Sequence, residues 1–237
     1  MKGAYMKIAG LQKLTLLDFP GRIGCTVFLG GCNLRCPFCH NGSLVLYDGD
    51  ADGISESEFF AFLESRRSRL QGVCVSGGEP TVNPGLADFI RRIKSMGFDV
   101  KLDTNGTNPE MLRSLISERL VDYVAMDIKS SIEGYGVATG IKGDRLAIII
   151  NKVKESAAIL MCGEVDFEFR TTLVRELHSA EDIRSIGNWL GGEEKYFLQT
   201  YRDEGDLLVG GFTPFTAEET GALLSLLRER VPNAAIR

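Results

Sequence analysis

From about residue 23 onward, strand-like and helix-like segments alternate along the chain. Parallel neighbours in a sheet can be joined only by crossovers, so this order predicts a parallel sheet covered by helices. The helix starts are marked. Ser55-Glu56-Ser57-Glu58 is a capping box ahead of Phe59, Phe62 and Leu63. Asn83-Pro84 and Asn108-Pro109 each set an N-cap before a proline. Leu86, Phe89, Ile90 and Ile93 then recur at helical spacing, and Gly97 supplies a stop. Thr216-x-x-Glu219 caps a last helix carrying Leu223, Leu224 and Leu227. Strands are predicted at 23–29, 72–76, 98–104, 122–129, 165–172 and 195–200. The expectation is one α/β domain over residues 1–237, a partial (β/α)6 barrel short of the eight units of a closed barrel. Residues 1–22 form an extension, in which 8–19 adds an antiparallel strand. The core barrel spans 23–202, and a C-terminal loop and helix occupy 203–237. Residues 43–54 and 203–215 read as loops.

Strand alternation sorts the polar side chains. Val100 and Leu102 share one face, opposite Asp99, Lys101 and Asp103. Val124, Met126 and Ile128 oppose Asp127 and Lys129; Val165, Phe167 and Phe169 oppose Asp166, Glu168, Arg170 and Thr172. Apolar faces turn outward to the crossover helices, so the charged ones face the inside of the sheet. Isolated charges there are too costly. They pair as structural salt bridges, or they line an open polar lumen.

The charge balance narrows the function. With 27 Lys+Arg against 32 Asp+Glu the net charge is −5, a poor basis for binding nucleic acid or anionic membranes. No apolar run reaches the roughly 20 residues of a membrane span, and no secretory signal is visible, so the expected location is the cytoplasm.

Three of the six cysteines, Cys32, Cys36 and Cys39, fall within eight residues. Such crowding in a cytosolic chain reads as metal ligation, and soft thiolates select zinc, Cu(I) or iron–sulfur clusters. Only His40 lies near as a fourth ligand, so three thiolates on a [4Fe–4S] cube would leave one iron open to a small molecule. Cys25, Cys74 and Cys162 stand alone in apolar runs and read as small buried hydrophobes. Arg66-Arg67-Ser68-Arg69 reads as a solvated helix end, His178 as a helix-start residue and Trp189 as core.

Cys32-x3-Cys36-Pro-Phe38-Cys39, after a strand, joined by Ser76-Gly77-Gly78-Glu79-Pro80 at the end of the next, resembles the signature of the radical S-adenosylmethionine superfamily. Cys39-His40-Asn41, the run Leu102 to Gly106, Met126-Asp127-Ile128-Lys129 and Arg170 resemble the activases of glycyl radical enzymes. The run from Ile8 through Gln199 is most similar to the longer branch of anaerobic ribonucleoside-triphosphate reductase activating proteins. There an Arg-Pro would follow Leu198-Gln199, where this chain has Thr200-Tyr201-Arg202-Asp203.

The resemblance implies roles. Cys32, Cys36 and Cys39 would hold one [4Fe–4S] cluster, and S-adenosylmethionine would chelate its fourth iron. Glu79 with the Gly77-Gly78 backbone would take the methionine amino group, the glycines letting main chain approach the ligand. Asp103 and Thr104 would meet the ribose hydroxyls and the methionine end, Lys129 the methionine carboxylate and Phe38 the adenine. Arg170 would be a further lumen contact. Asp103 and Asp127 would help bind a monovalent cation. The reaction would be reductive cleavage to a 5′-deoxyadenosyl radical, which takes hydrogen from a glycine of the reductase. A flavodoxin- or ferredoxin-type protein would donate the electron. The short chain, without a second cysteine cluster, favours an activase over a radical enzyme acting on a small molecule or a modified base. A pyruvate formate-lyase-type partner stays open. A structural zinc or electron-transfer module using His40 would explain the cysteines but not Gly77–Pro80.

Overall fold

The computed structural model describes residues 6–47, 53–192 and 194–237. Its strands form one eight-stranded sheet in sequence order. β1 (Ile8–Thr15) lies antiparallel on β2 (Gly24–Leu29). Then β3 (Gly72–Gly77), β4 (Asp99–Thr104), β5 (Tyr123–Asp127), β6 (Asp166–Leu173), β7 (Tyr196–Thr200) and β8 (Ala235–Ile236) each run parallel to the strand before. The helices are α1 (Gly42–Leu46), α2 (Glu56–Ser65), α3 (Leu86–Ser95), α4 (Pro109–Ser117), α5 (Tyr135–Thr139), α6 (Asp144–Met161), α7 (Ala180–Trp189) and α8 (Ala217–Arg228). This is the α/β fold with a mostly parallel sheet and an antiparallel first strand that the sequence predicts. The six expected parallel strands are β2 to β7.

The core forms where the alternation places it. Val73, Val75, Val100, Leu102, Val124 and Met126 are fully buried, as are Phe59, Leu63, Ile90, Ile93 and Leu115 of the covering helices. Each such side chain contributes about 1.5–3 kcal/mol of transfer free energy. The capping boxes at Ser55 and Thr216 are both closed, Asn108 accepts from Met111 N–H, and Gly97 follows α3 with φ +89°.

Four expectations are corrected. Asn83-Pro84 does not start α3. The Glu79 side chain caps a 3-10 turn at Pro80–Val82, Asn83 closes that turn onto the Pro80 carbonyl, and α3 begins beyond it. Residues 43–54 are not all loop, because α1 occupies their start; residues 48–52 lie outside the described residues. The sheet does not end near residue 202. β8 is too short to show a periodic pattern, yet it pairs with β7. Cys162 is exposed, because it caps the C-terminal end of α6 instead of lying within its buried stripe. Cys25 and Cys74 are fully buried as expected, and Trp189 is half-buried at the core's edge.

Candidate active site

The cysteine loop leaves the C-terminal end of β2, where successive parallel strands deliver their last side chains to one rim. A cavity of about 250 Å³ opens there. Cys32, Phe38, Cys39 and buried Cys36 line one wall. Gly77, Gly78, Glu79, Asp103, Thr104, Asp127, Lys129 and Arg170 line it as well. Every site residue expected from the sequence is therefore in one place.

Gly77 and Gly78 are required by close packing of main chain on main chain. A Cβ at Gly77, whose φ is +129°, would come within 2.1 Å of the Leu29 carbonyl oxygen. At Gly78 it would come within 2.2 Å of the Gly31 oxygen. The hydrogen bonds Gly78 N–H to Leu29 O (2.9 Å) and Glu79 N–H to Gly31 O (2.8 Å) bind the two segments. The glycines thus let β3 seat the root of the cysteine loop, a reason different from the ligand approach expected above.

Glu79 is fully buried and heavily used. Its Oε1 accepts from Thr81 N–H (3.1 Å), the Thr81 hydroxyl (2.5 Å) and the Thr104 hydroxyl (2.7 Å). Its Oε2 accepts from Asn105 N–H at 2.6 Å. Burial raises its pKa, and these donors work against that shift. Asn105, quoted in the motif but given no role there, lines the cavity and carries its amide to Asn33 Oδ1 at 3.0 Å. Its place one residue after Thr104 at the end of β4 is the signal that would have found it.

The inward charges do pair, and they line the lumen as well. Arg170 reaches Asp127 at 2.8 Å and Asp103 at 3.5 Å. Lys129 lies 3.0 Å from Asp127. Lys101, buried beside Cys74, pairs with Asp103, which also accepts from the Ser76 hydroxyl at 3.1 Å. Burial alone would raise the Asp127 carboxyl; Arg170 and Lys129 overcome it and hold the group well below the usual carboxylate range. Glu168 leaves this set: it meets Tyr123 and Arg237 farther down the sheet. His178 is buried just ahead of the α7 N-cap. Its Nδ1 accepts from Val174 N–H at 3.0 Å and its Nε2 meets the Lys129 carbonyl at 2.9 Å, steadying the backbone that carries Lys129. Phe38 packs edge-on against its ring.

The 203–215 loop straps the cysteine loop. Leu208 N–H donates to Cys39 O at 2.9 Å, Val209 N–H to Pro37 O at 3.1 Å, and Gly42 N–H to Asp206 O at 2.8 Å. His40 is engaged there too, with Nε2 at 2.5 Å from Arg202 O and its ring on Tyr201.

Burial pushes the Cys36 thiol up to about 12, against the nearby Lys129, and raises Cys32 as well. Thiolates in such a wall need a strongly cationic partner. Cys32, Cys36 and Cys39 line one cavity, a donor set of three soft thiols that an iron–sulfur cube can take with one iron left open. Beside them lie carboxylates and cations that match a charged, zwitterionic ligand. The residues present therefore fit a [4Fe–4S] cluster with S-adenosylmethionine.

Residues 26–177 match the model of the Radical SAM superfamily, and the chain belongs to that superfamily. Membership implies a [4Fe–4S] cluster and binding of S-adenosylmethionine. The chain is 32% identical over 195 residues to a protein of Methanocaldococcus jannaschii provisionally named a glycyl-radical enzyme activating enzyme, covering 82% of this chain and 79% of that one. It is 32% identical over 189 residues to the pyruvate formate-lyase-activating enzyme of Clostridium pasteurianum, covering 77% and 75%. The crystal structure of Streptococcus suis SuiB bound to S-adenosylmethionine shares the fold, with TM-score 0.68 at 12% identity over 87% of this chain; the match spans about half (48%) of SuiB. No helix among the described residues is long and apolar enough to cross a membrane.

Proposed function

We propose that this chain activates a glycyl radical enzyme, with anaerobic ribonucleoside-triphosphate reductase as the partner. One observation carries the reading: the thiols of the cysteine loop and the groups Glu79, Asp103, Lys129 and Arg170 line a single cavity. The relatives named above supply the choice of an activase within the superfamily.

The chain's own residues bind and orient. Cys32, Cys36 and Cys39 would hold the cluster. Among the described residues, Oε2 of Glu79 accepts only the Asn105 N–H, which leaves it capacity for the methionine ammonium. Oε1 is committed to Thr81 and Thr104, so the carboxylate is fixed before ligand arrives. The Lys129 ammonium uses Asp127 and retains donors for the methionine carboxylate. Asp103, Thr104 and Phe38 would meet the ribose and the adenine. Asp103 and Asp127 already share Arg170, and replacing K⁺ by Na⁺ checks whether a monovalent cation joins them. When bound, the cluster and S-adenosylmethionine would supply one-electron reductive radical chemistry, directed here at a glycine Cα of the partner. A flavodoxin- or ferredoxin-type protein supplies the electron.

The departure after Gln199 bears on partner choice. Tyr201 is buried, its hydroxyl donates to Asp203 at 2.7 Å, and Asp203 accepts from Gly211 N–H. Asp203 thus closes the strap in the segment where the resemblance led to an expected Arg-Pro. The test is anaerobic: protein reconstituted with iron and sulfide, then dithionite and S-adenosylmethionine. It should yield 5′-deoxyadenosine and, once the reductase is added, the EPR signal of a glycyl radical. Nucleoside formation without a radical on any glycyl radical enzyme would point instead to a small-molecule substrate.

A further inference from the structure

β5 ends at Asp127, its last residue in register with β6, and Lys129 stands beyond the ladder. Side chains take over there. Ile128 N–H still reaches the Arg170 carbonyl at 2.8 Å, and the Ile128 carbonyl accepts from the Thr171 hydroxyl at 2.7 Å. The next carbonyl, that of Lys129 itself, meets Nε2 of His178 at 2.9 Å. Two residues on, the Ser131 hydroxyl donates to Asp182 Oδ1 at 2.5 Å and accepts from Gly134 N–H at 3.0 Å. Ser130, between them, is buried and its hydroxyl has no partner, so it adds no hold. Asp182 also closes the capping box of α7 on Ser179, the residue after His178. The start of α7 thus grips the turn that carries Lys129 at two points.

The His178 ring is itself fixed. A carbonyl oxygen can only accept, so Nε2 carries the proton, and Nδ1 is left to accept from Val174 N–H at 3.0 Å. Both nitrogens are used, and the residue is 3% exposed. Phe38 packs edge-on against it, with centroids 6.3 Å apart at 77°, and Phe38 lies between Cys36 and Cys39. One ring therefore touches both the cysteine loop and the peptide behind the Lys129 ammonium. Placement of such a group matters, because a misplacement of about 1 Å can cost roughly a hundredfold.

We propose that His178, backed by Asp182, is a positioning residue for S-adenosylmethionine: it holds the Lys129 peptide against Phe38 and so sets the reach of the Lys129 ammonium to the methionine carboxylate. The proposal rests on the reading of the site given above and adds to it a residue outside the cavity lining.

The experiment measures binding without turnover. Oxygen-free protein, reconstituted with iron and sulfide and left unreduced, is titrated with S-adenosylmethionine and with its decarboxylated analogue, which keeps the amino group and the nucleoside. Wild type should prefer S-adenosylmethionine. His178→Asn leaves an amide too short to reach the Lys129 carbonyl. It should load iron as wild type does and bind the analogue unchanged, but bind S-adenosylmethionine about tenfold more weakly, the size of one weakened charged hydrogen bond. His178→Gln, whose longer amide can donate where Nε2 does, should restore the preference. A merely structural loss would weaken both ligands alike; that result, or an unchanged preference in His178→Asn, overturns the proposal. Should His178→Asn load less iron, Ser131→Ala frees the same turn from Asp182. Its preference should fall, and an unchanged preference overturns the proposal equally. Wild type that loads iron but does not distinguish the two ligands removes the carboxylate from Lys129, and this proposal with it. Wild type that takes up no cluster overturns the reading of the site itself.

Discussion

Arg237 lays its guanidinium on both oxygens of Glu168, at 2.8 and 3.3 Å, although Glu168 is 0% exposed and Arg237 is 40% exposed. Tyr123 donates to the same carboxylate at 2.9 Å, and the Arg237 guanidinium also lies over the Phe197 ring. β8 delivers this arginine, whose own N–H bonds to the Leu198 carbonyl. Arg237→Ala should leave a buried carboxylate with one neutral donor. Breaking such a pair costs about 2–3 kcal/mol here, below the fully buried range because the arginine is wetted. The expected fall in Tm is about 5–10 °C. Adding Glu168→Gln should recover part of it; full stability of the single variant in calorimetry would refute the pairing's importance.

Cys36→Ala should abolish the visible absorbance of anaerobically reconstituted protein while leaving far-UV circular dichroism unchanged. The thiol is buried in the cavity wall, and His40, the other candidate ligand lining the cavity, is engaged with the Arg202 carbonyl. A full complement of iron in this variant would remove Cys36 from the ligand set.

Gly78→Ala tests the main-chain contact. Its Cβ would meet the Gly31 oxygen at 2.2 Å, so β3 and the root of the cysteine loop must separate. Overpacking of this kind costs about 1–3 kcal/mol. Iron uptake should fall along with stability, and a variant with normal values of both would contradict the packing described.

Lys101→Met leaves Asp103 with Arg170 and the Ser76 hydroxyl alone. Lys101 is 1% exposed, so about 3–5 kcal/mol of stability should be lost, seen as a lower urea midpoint at constant m. Affinity for S-adenosylmethionine should weaken too, because Asp103 loses the contact that holds its side chain. Unaltered affinity would take Asp103 out of the binding set.

His178 gives a pH signature. Burial lowers its pKa below the ordinary value, against the hydrogen bonds with Lys129 and Val174. The folded state binds the proton less well than the unfolded state. The neutral ring's contribution is therefore complete above about pH 6.5 and is lost as pH falls through the lowered folded value. Wild type should lose Tm more steeply than His178→Gln between neutral pH and about pH 5. Parallel profiles would show that His178 does not titrate with unfolding.

Much of this was legible beforehand, because period-two alternation is a local property. It placed Val100 and Leu102 against Lys101 and Asp103 with no knowledge of the neighbouring strands. It could not say which inward charges reach the cavity. Glu168 and Arg170 are two residues apart on one face of β6, yet one meets Arg237 and the other Asp103 and Asp127. That division follows depth along the strand, which no pattern encodes. Asn83 misled because it looks like a cap, and Glu79, four residues earlier, takes that work one turn sooner.

The strap formed by Leu208 and Val209 on Cys39 and Pro37 joins the segment after β7 to the segment after β2. The ligand loop is thus braced across the mouth of the sheet from strands that are far apart in its order. Cutting or loosening the strap should free the backbone of Pro37 and Cys39 while the sheet itself stays intact, so a nick in 203–215 would be felt first as lost grip on metal.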